Sequence, residues 1–415
     1  MNNSNTVIVC GAGAAGLMAA GTAAQYADKV ILIEKNDRVG KKLRITGKGR
    51  CNITNSRDVS EMIDMFPTNG KFLYSALYTF TNDDMVRLIE SLGVPTKVER
   101  GGRIFPVSDD ARDVVAAMRR YALRGNVKLV NANVRSLLIK NGAVEGVNTS
   151  RGHIYGNKVI VCTGGASYPQ TGSDGSGYRI AEKAGHTITD ISPSLVPLTA
   201  AEDWCGKLSG LSLKNVKTTA YGAGGKKLYE GFGEMLFTHF GVSGPLILSM
   251  SAHIRKDAVK GCTLEIDLKP ALTAEKLDAR ILRDLGANGK KHLINSLDAL
   301  LPKALIPIVI ASAGTEPHKC AAELTKAERL ALGNAIKHLK LTITGLRPIE
   351  EAIVTSGGVK TSEIDPSTME SKLVSGLYFA GEIIDIDAYT GGYNLQAAWS
   401  TGYLAGINAG GGYDT

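Results

Sequence analysis

The chain has 415 residues, of which 44% are hydrophobic and 21% are charged, and its formal net charge is +8. These proportions exclude a disordered or fibrous protein, and the length favours two or three domains over one. The six cysteines are scattered without a CxxC pair, so neither a redox-active disulfide nor a metal site is expected. A short polar amino terminus and the lack of an apolar stretch of roughly 18 residues predict a cytoplasmic protein.

The first element is a βαβ unit from Thr6 to Glu34, with an alanine-rich helix between two apolar strands. The turn after the first strand reads Gly11-Ala-Gly-Ala-Ala-Gly16, the spacing of a dinucleotide-binding fingerprint. Gly11 permits the sharp turn, Gly13 lets backbone N–H groups approach a pyrophosphate, and Gly16 allows the helix to pack closely on the strand. The helix start then offers the phosphates free N–H groups and a positive dipole end.

The acidic partner of this fingerprint is Glu34, 23 residues after Gly11 and at the end of the second strand. At that spacing its carboxylate is expected to accept hydrogen bonds from a ribose diol. The same negative charge disfavours a 2′-phosphate, so NADP is not expected at this site.

A basic, glycine-rich loop follows from Val39 to Asn55. Its alternating glycines and cations suit a pyrophosphate better than they suit a solvated run of charges, which is the alternative interpretation. We expect Arg50 and Asn52 to hold the dinucleotide, with Lys41 and Lys42 nearer to solvent.

The next predicted elements are helices and strands of a mixed α/β domain. An apolar strand, Lys158 to Thr163, runs directly into Gly164-Gly165. The others are helices at Asp83 to Leu92 and Asp110 to Leu123, and meander strands at Val127 to Val134 and Gly142 to Thr149.

Beyond Pro193 the pattern changes to alternating strands, which predicts a small antiparallel or barrel-like domain. A glycine-rich hairpin turn, Gly222 to Gly225, separates the first two of them. The strands are Lys214 to Tyr221, Gly225 to Glu230 and Cys262 to Leu268.

A helical region is predicted from Thr273 to about Lys340. Thr273 and Thr325 are its candidate N-caps. Prolines are expected to break it at Pro302, Pro307 and Pro317.

The carboxyl end returns to a short strand, Leu377 to Phe379, which ends in Ala380-Gly381-Glu382. A second glycine turn, Gly391-Gly392, leads into an alanine-rich helix from about Leu395 to Asn408. This delivers a second helix amino terminus, whose N–H groups would face a flavin edge that becomes negative on reduction. A helix that is merely capped by a glycine loop is the alternative interpretation.

Six blocks together resemble the bacterial BaiN-like (YhiN-type) flavoproteins, which are NAD(P)/FAD-dependent oxidoreductases related to a 3-dehydro bile-acid reductase and to flavoproteins named aminoacetone oxidases. They run from the first strand to the last helix, so the resemblance covers essentially the whole chain. One local difference is Thr46-Gly47-Lys48, where Ser-Gly-Gly or Ser-Gly-Asn is more usual. The blocks are Gly11 to Gly16, Thr46 to Asn55, Val161 to Pro169, Phe237 to Pro245, Val354 to Val359, and Gly381 to Asp385 with Gly391 to Gln396.

The resemblance implies an α/β protein with a Rossmann-type FAD-binding domain of the glutathione-reductase-like class, interrupted by a β-barrel-like domain and a helical insertion. The expected divisions are 1–194 and 353–415 for the FAD-binding domain, 195–272 and 336–352 for the barrel-like domain, and 273–335 for the helical insertion. The motifs and the resemblance together predict a set of FAD-binding residues: Gly11, Gly13, Ala14, Ala15, Gly16, Glu34, Lys35, Lys42, Arg50, Cys51, Asn52, Val134, Thr163, Gly164, Gly165, Gly381, Glu382, Asp385, Gly391, Gly392, Tyr393, Asn394, Leu395 and Gln396.

Two side chains are considered as catalytic candidates. His239, beside a glycine turn, is a candidate proton donor or substrate anchor, and a structural histidine is the alternative. Cys51 follows Arg50, which would lower the pKa of a nucleophilic thiol, but a packed structural cysteine is favoured because no second thiol is nearby in sequence. Tyr393 and Tyr168 are weaker proton-donor candidates.

The sequence therefore favours an FAD-dependent oxidoreductase that transfers hydride between the flavin and a small organic substrate, with NAD(P)H or oxygen as the other redox partner. No second fingerprint follows a strand, so NAD(P)H is expected to bind only transiently over the flavin. Nucleic acid and membranes are not expected partners. An RNA-associated flavoprotein, suggested by the +8 charge, and a non-catalytic flavin sensor are the alternatives.

Overall fold

The computed structural model describes residues 4–254, 259 and 261–412. Its strands are, in chain order, β1 (Thr6–Cys10), β2 (Lys29–Glu34), β3 (Thr54–Asn55), β4 (Thr96–Glu99), β5 (Arg103–Pro106), β6 (Val127–Asn131), β7 (Val134–Lys140), β8 (Ala143–Thr149), β9 (Gly152–Tyr155), β10 (Lys158–Val161), β11 (Ser192–Ser194), β12 (Leu198–Ala200), β13 (Ser212–Tyr221), β14 (Lys227–Thr238), β15 (Gly241–Ser243), β16 (Thr263–Asp267), β17 (Leu339–Leu346), β18 (Val354–Ser356) and β19 (Leu377–Phe379).

The α-helices are α1 (Ala14–Ala23), α2 (Val59–Met62), α3 (Tyr74–Thr79), α4 (Asn82–Ser91), α5 (Ala111–Ala122), α6 (Ser176–Lys183), α7 (Trp204–Lys207), α8 (Pro245–Ser251), α9 (Ala274–Ala287), α10 (Ile306–Ser312), α11 (Lys326–Lys337) and α12 (Tyr393–Gly410). They form two compact units together with the strands. Unit 1 comprises the chain up to Ser194 and from Pro348 onward, and unit 2 comprises Leu195–Arg347.

Unit 1 is built on a five-stranded parallel sheet in the order β19-β10-β1-β2-β6. Val7 pairs with Val30 on one side and with Lys158 on the other, and Val161 pairs with Phe379. The sheet therefore joins strands from both ends of the chain. The apolar residues of β1, β2, β10 and β19 are buried, as expected where helices cover a parallel sheet. The predicted Rossmann-type α/β domain is confirmed.

The predicted meander needs one correction. Residues 127–131 form β6, an edge strand of the parallel sheet paired with β2, and the antiparallel meander consists of β7, β8 and β9. The prediction of one strand from Val127 to Val134 was wrong because Ala132 and Asn133 separate two strands of similar composition. Only pairing with a distant strand tells the two apart.

Helices α1 and α12 pack side by side through small residues. A Cβ on Gly402 would lie 2.5 Å from the carbonyl oxygen of Ala15, and one on Gly406 would lie 2.8 Å from that of Ala19. Gly410 continues the series four residues later. Because both series ascend together, the helices run parallel and their amino termini point the same way.

Unit 2 contains a closed six-stranded barrel in the order β12-β15-β14-β13-β16-β17, which confirms the barrel-like prediction. The predicted hairpin turn lies between β13 and β14, where Gly222 N–H donates to the Lys226 carbonyl. Thr273 and Thr325 do cap helices, since their hydroxyls accept the backbone N–H groups of Lys276 and Glu328.

The helical insertion differs from the prediction at two places. Pro307 does not break a helix but lies in the first turn of α10, where a missing N–H has no cost. The last helix of this region, α11, ends at Lys337, and Leu339 and Lys340 already belong to the barrel strand β17.

Candidate FAD-binding site

The amino terminus of α1 is open and its backbone N–H groups are available to a ligand. Gly11 has φ of 101°, so the chain turns sharply out of β1 there. Gly13 is the N-cap residue and provides no side-chain hydrogen bond to the helix. Such a helix start, with orphan donors and a positive dipole end, suits an anion.

The three fingerprint glycines have distinct surroundings. A Cβ on Gly11 would lie 2.5 Å from the carbonyl oxygen of Cys162, and one on Gly16 would lie 1.8 Å from that of Gly11. A Cβ on Gly13 would meet nothing within 4 Å. Gly11 and Gly16 thus serve close packing, whereas Gly13 faces open space at the helix start.

Glu34 lies beside this turn at the end of β2 and is only 9% exposed. One carboxylate oxygen accepts the Ala12 N–H at 2.8 Å, and the other accepts the backbone N–H of Asn36 at 2.8 Å. The acceptor predicted for the ribose is therefore fixed next to the glycine turn, although it already has two backbone donors.

The amino terminus of α12 is likewise open. Its N-cap residue, Gly392, has φ of 102° and offers no side-chain hydrogen bond. A Cβ on Gly392 would lie 2.4 Å from the Thr54 carbonyl oxygen, and Asn55 Nδ2 donates to the Gly391 carbonyl at 2.9 Å. Strand β3 thereby holds the glycine turn so that the first helical N–H groups stay unpaired by side chains.

The two helix starts are offset along a common direction. Tyr393 lies nine residues before Gly402, which packs on Ala15, whereas Ala14 lies one residue before Ala15. At 1.5 Å per residue, α12 begins about 12 Å beyond α1. One extended molecule that carries a phosphate group and an aromatic ring, separated along its length, suits both helix starts.

A salt bridge connects the basic loop to the carboxyl end of the sheet. Lys42 Nζ lies 2.7 Å from Glu382 Oε2, and both side chains are about four-fifths buried, with exposures of 22% and 19%. Ser167 Oγ donates to Glu382 Oε1 at 3.0 Å, and the Thr355 N–H donates to the same oxygen at 2.9 Å. The expectation that Lys42 lies nearer to solvent was wrong, because a carboxylate 340 residues away draws it inward.

Arg50 also differs from expectation. Its guanidinium binds the carboxylates of Glu99 and Asp109 and lies 4.1 Å above the ring of Phe105. Cys51 is fully buried at φ of 61°, and burial raises the pKa of its thiol to about 12. A thiolate is disfavoured there, which supports the structural interpretation of this cysteine.

Two buried polar atoms at predicted FAD-binding residues have no partner among the described residues. They are Asn52 Oδ1 and Thr163 Oγ1. Buried polar atoms are normally hydrogen-bonded, so an unpaired pair at predicted contact positions fits a polar cofactor that supplies the missing partners. With the space above Gly13, these atoms make the residues present compatible with FAD.

Several predicted residues serve the protein's own structure. Gln396 accepts from Thr54 Oγ1 at 2.7 Å and donates to Ser400, while the amide of Asn394 bonds both backbone groups of Ala388. Because these side chains already have partners, the groups that α12 can offer a ligand are the backbone N–H groups of residues 393–395. Of the residues that hold Glu382 in place, the sequence motifs predicted Lys42 but missed Ser167 and Thr355. The signal for each of these two was its position inside a glycine-containing block.

Lys35 and Val134 lie at the edges of this region. Lys35 Nζ pairs with Asp174 at 2.9 Å, just before α6. Burial raises the pKa of Asp174, but hydrogen bonds from Ser176 and Lys35 outweigh burial and lower that pKa to about 2. Val134 is half-buried at the start of β7.

The remaining candidate from the sequence is His239, the predicted proton donor or substrate anchor. His239 belongs to unit 2, where it is exposed in the turn between β14 and β15 with its ring edge-on to Phe240 at 4.9 Å.

Within the described ranges, no group of three His, Cys, Asp or Glu side chains is placed to hold a metal ion. The helices of that part of the chain include none that is long and apolar enough to span a bilayer.

Asp385 provides a test of the loop that precedes α12. Burial raises the pKa of Asp385 above 3.8 and Asp387 adds to the rise, although hydrogen bonds from Thr189 and Asn69 oppose them. A raised folded-state pKa means that the stability this group contributes is present below 3.8 and is lost as pH rises through the folded value. Asp385→Asn should therefore raise the melting temperature of the apoprotein at pH 8 by about 2 °C, and by less at pH 5.

Melting curves of the two proteins at both pH values make this comparison. An equal shift at pH 5 and pH 8, or a lower melting temperature for Asp385→Asn at pH 8, would show that the buried carboxylate is not the cause.

Known proteins are similar to this chain in sequence and in fold. The model of the HI0933-like protein Rossmann domain family matches residues 5–408. The chain is 34% identical over 410 residues to a 3-dehydro-bile acid delta(4,6)-reductase of Clostridium scindens, covering 97% of this chain and 98% of that protein. It is 32% identical over 421 residues to a ribosomal RNA dihydrouridine synthase of Haemophilus influenzae, with coverage of 98% and 99%.

Solved structures support the fold alone. The quinol fumarate reductase FrdA of E. coli matches with a TM-score of 0.52 at 16% identity, covering 99% of this chain and 70% of that one. A 3-ketosteroid delta1-dehydrogenase from Sterolibacterium denitrificans matches with a TM-score of 0.51 at 14% identity, covering 98% and 100%. Two open helix starts on a Rossmann sheet, together with the full-length family match, place this chain in the HI0933-like family of FAD-dependent oxidoreductases.

Proposed function

We propose that the protein is an FAD-dependent reductase that saturates a C=C bond conjugated to a carbonyl group, and that this bond belongs to a uracil base of RNA. The observation that carries the FAD-dependent part of this assignment is the pair of open, parallel helix starts of α1 and α12. When bound there, FAD would relay a hydride from NAD(P)H to the substrate.

The class of bond follows from what the names of two relatives have in common. A 3-dehydro-bile acid delta(4,6)-reductase and a dihydrouridine synthase both reduce a C=C bond whose electrons are withdrawn by a carbonyl group. In such a reduction hydride adds at the β-carbon and a proton adds at the α-carbon. His239 remains our candidate for the proton donor, since it is exposed and carries an imidazole.

The distribution of charge favours RNA over a small molecule. Residues 195–347 contain 21 Lys and Arg side chains and 14 Asp and Glu side chains, so unit 2 has a formal net charge of +7 and leaves +1 of the +8 total to unit 1. A cofactor site in unit 1 does not need that excess. A polyanionic substrate that contacts unit 2 would use it, because phosphate contacts dominate nucleic-acid affinity.

A small enone is the second candidate substrate, favoured by the 34% identity to the bile-acid reductase. It would explain the relationship without RNA, but it would leave the charge of unit 2 without a role.

Anaerobic stopped-flow absorbance at 450 nm tests the assignment. NADH or NADPH should bleach the flavin of the purified yellow protein. The reduced protein should then be reoxidised by in vitro-transcribed ribosomal RNA, with dihydrouridine formed, and not by a 3-oxo-4,6-diene steroid. His239→Ala should bleach normally and reoxidise more slowly.

The outcomes separate the alternatives. Reoxidation by the steroid alone would replace RNA with a small enone. A flavin that neither nicotinamide bleaches would contradict the reductase assignment and leave the sensor hypothesis.

A further inference from the structure

Unit 2 contains a polar hollow that the FAD site does not involve. Its volume is about 600 Å³, which lies within the ~300–1,000 Å³ of pockets that hold small ligands. It lies where helices α10 and α11 meet strands β16 and β17. Its lining residues are Glu265, Ser312, Asn334, Ala335, His338 and Lys340.

The lining combines a carboxylate, an imidazole, an ammonium group, an amide and a hydroxyl group. His338 Nδ1 lies 2.9 Å from Glu265 Oε1, which orients the imidazole and leaves its other nitrogen for a ligand. Lys340 is exposed and directly opposite Glu265 in the pairing of β16 with β17. The amide of Asn334 and the hydroxyl of Ser312 complete the rim.

We propose that this hollow binds one nucleotide of the RNA substrate, at a distance along the RNA from the uracil that is reduced; this rests on the proposed function. Lys340 contacts a phosphate as a point charge. The amide of Asn334 can donate to and accept from the edge of the base. The Ser312 hydroxyl, which already donates to the Ile308 carbonyl at 2.9 Å, accepts a hydrogen bond from the base. RNA attracted by the +7 charge of unit 2 would thus make one specific contact, at the hollow.

Filter binding of in vitro-transcribed ribosomal RNA, measured from 50 to 300 mM KCl, tests the proposal on the full chain loaded with FAD. Lys340→Ala should weaken binding about tenfold and lower the slope of log affinity against log salt by about 0.7 to 0.9, the value of one phosphate contact. Asn334→Ala should weaken binding about fivefold without changing that slope, since a base contact carries no counterion.

The matched control is Lys226→Ala. Lys226 is also exposed in unit 2 but lies in the turn between β13 and β14, outside the hollow. It should change RNA affinity less than twofold. The substitutions are at exposed positions, and alanine favours the helix at Asn334, so loss of folding is not expected.

Failure of this inference and failure of the proposed function give different results. If wild type forms dihydrouridine but Lys340→Ala and Asn334→Ala bind RNA as tightly as Lys226→Ala does, the hollow is not the attachment point and the proposed function stands. If the variants weaken RNA binding but wild type forms no dihydrouridine, the hollow binds RNA and the proposed reaction is wrong. If wild type does not retain RNA, both are wrong.

Discussion

Gly13→Val should leave the apoprotein folded and weaken FAD binding by about 100-fold, or ~2.7 kcal/mol. A Cβ at Gly13 meets nothing within 4 Å, and its φ of −80° suits any residue. Added side-chain atoms would instead fill the space that backbone N–H groups need for contact with the pyrophosphate. Losing two charge-assisted hydrogen bonds at roughly 1.5 kcal/mol each would account for the effect. Fluorescence titration of apoprotein with FAD measures it.

Gly286→Val is the matched control, since Gly286 is an exposed glycine of α9 at which an added Cβ would also meet no atom within 4 Å. It should bind FAD as wild type does. Equal FAD affinity in Gly13→Val and Gly286→Val would place the pyrophosphate away from α1.

Gly402→Ala should lower the free energy of unfolding of unit 1 by about 2 kcal/mol and reduce the fraction of protein purified with FAD. The new methyl group would lie 2.5 Å from the backbone oxygen of Ala15, and neither helix backbone can move without displacing its amino terminus. Overpacking costs about 1–3 kcal/mol, and here the contact is with backbone; helix propensity returns at most ~1 kcal/mol. Urea unfolding, followed with flavin content, measures both effects.

Gly286→Ala is the control for this substitution. It adds the same methyl group at a position of α9 where no other atom lies within 4 Å, so stability should stay constant or rise by up to ~1 kcal/mol. If Gly402→Ala proves as stable as Gly286→Ala, the close contact of α1 with α12 does not hold the two helix starts in place.

The parts of the fold that depend on neighbouring residues were predictable from sequence. The β1-α1-β2 unit follows from an apolar run, three glycines with fixed roles and a second apolar run. The distinction among the glycines was also predictable, and the surroundings of Gly11, Gly13 and Gly16 agree with it.

Contacts between distant residues were not predictable. Nothing local to Lys42 indicates that its ammonium group pairs with Glu382, and nothing local to Arg50 points to Glu99 and Asp109. A basic loop near a phosphate site carries the same sequence pattern whether its cations face the ligand or a protein carboxylate. Only the tertiary structure decides between these two.

Side chains inside a recognised motif raise the same problem. Asn394 and Gln396 belong to a block that the resemblance assigns to FAD, yet their amides bond Ala388, Thr54 and Ser400. Their contribution is to fix the start of α12, and the backbone N–H groups there remain the proposed contacts to FAD. A motif can thus mark a segment of the chain without identifying which of its atoms are free to face a ligand.

The most direct test of the account is a crystal structure of the protein grown with FAD. We expect a pyrophosphate within hydrogen-bond distance of the backbone N–H groups of Ala14 and Ala15, and a flavin ring whose pyrimidine edge meets the N–H groups of residues 393–395. An FAD molecule bound away from either helix start, or a colourless protein that takes up no FAD, would contradict it.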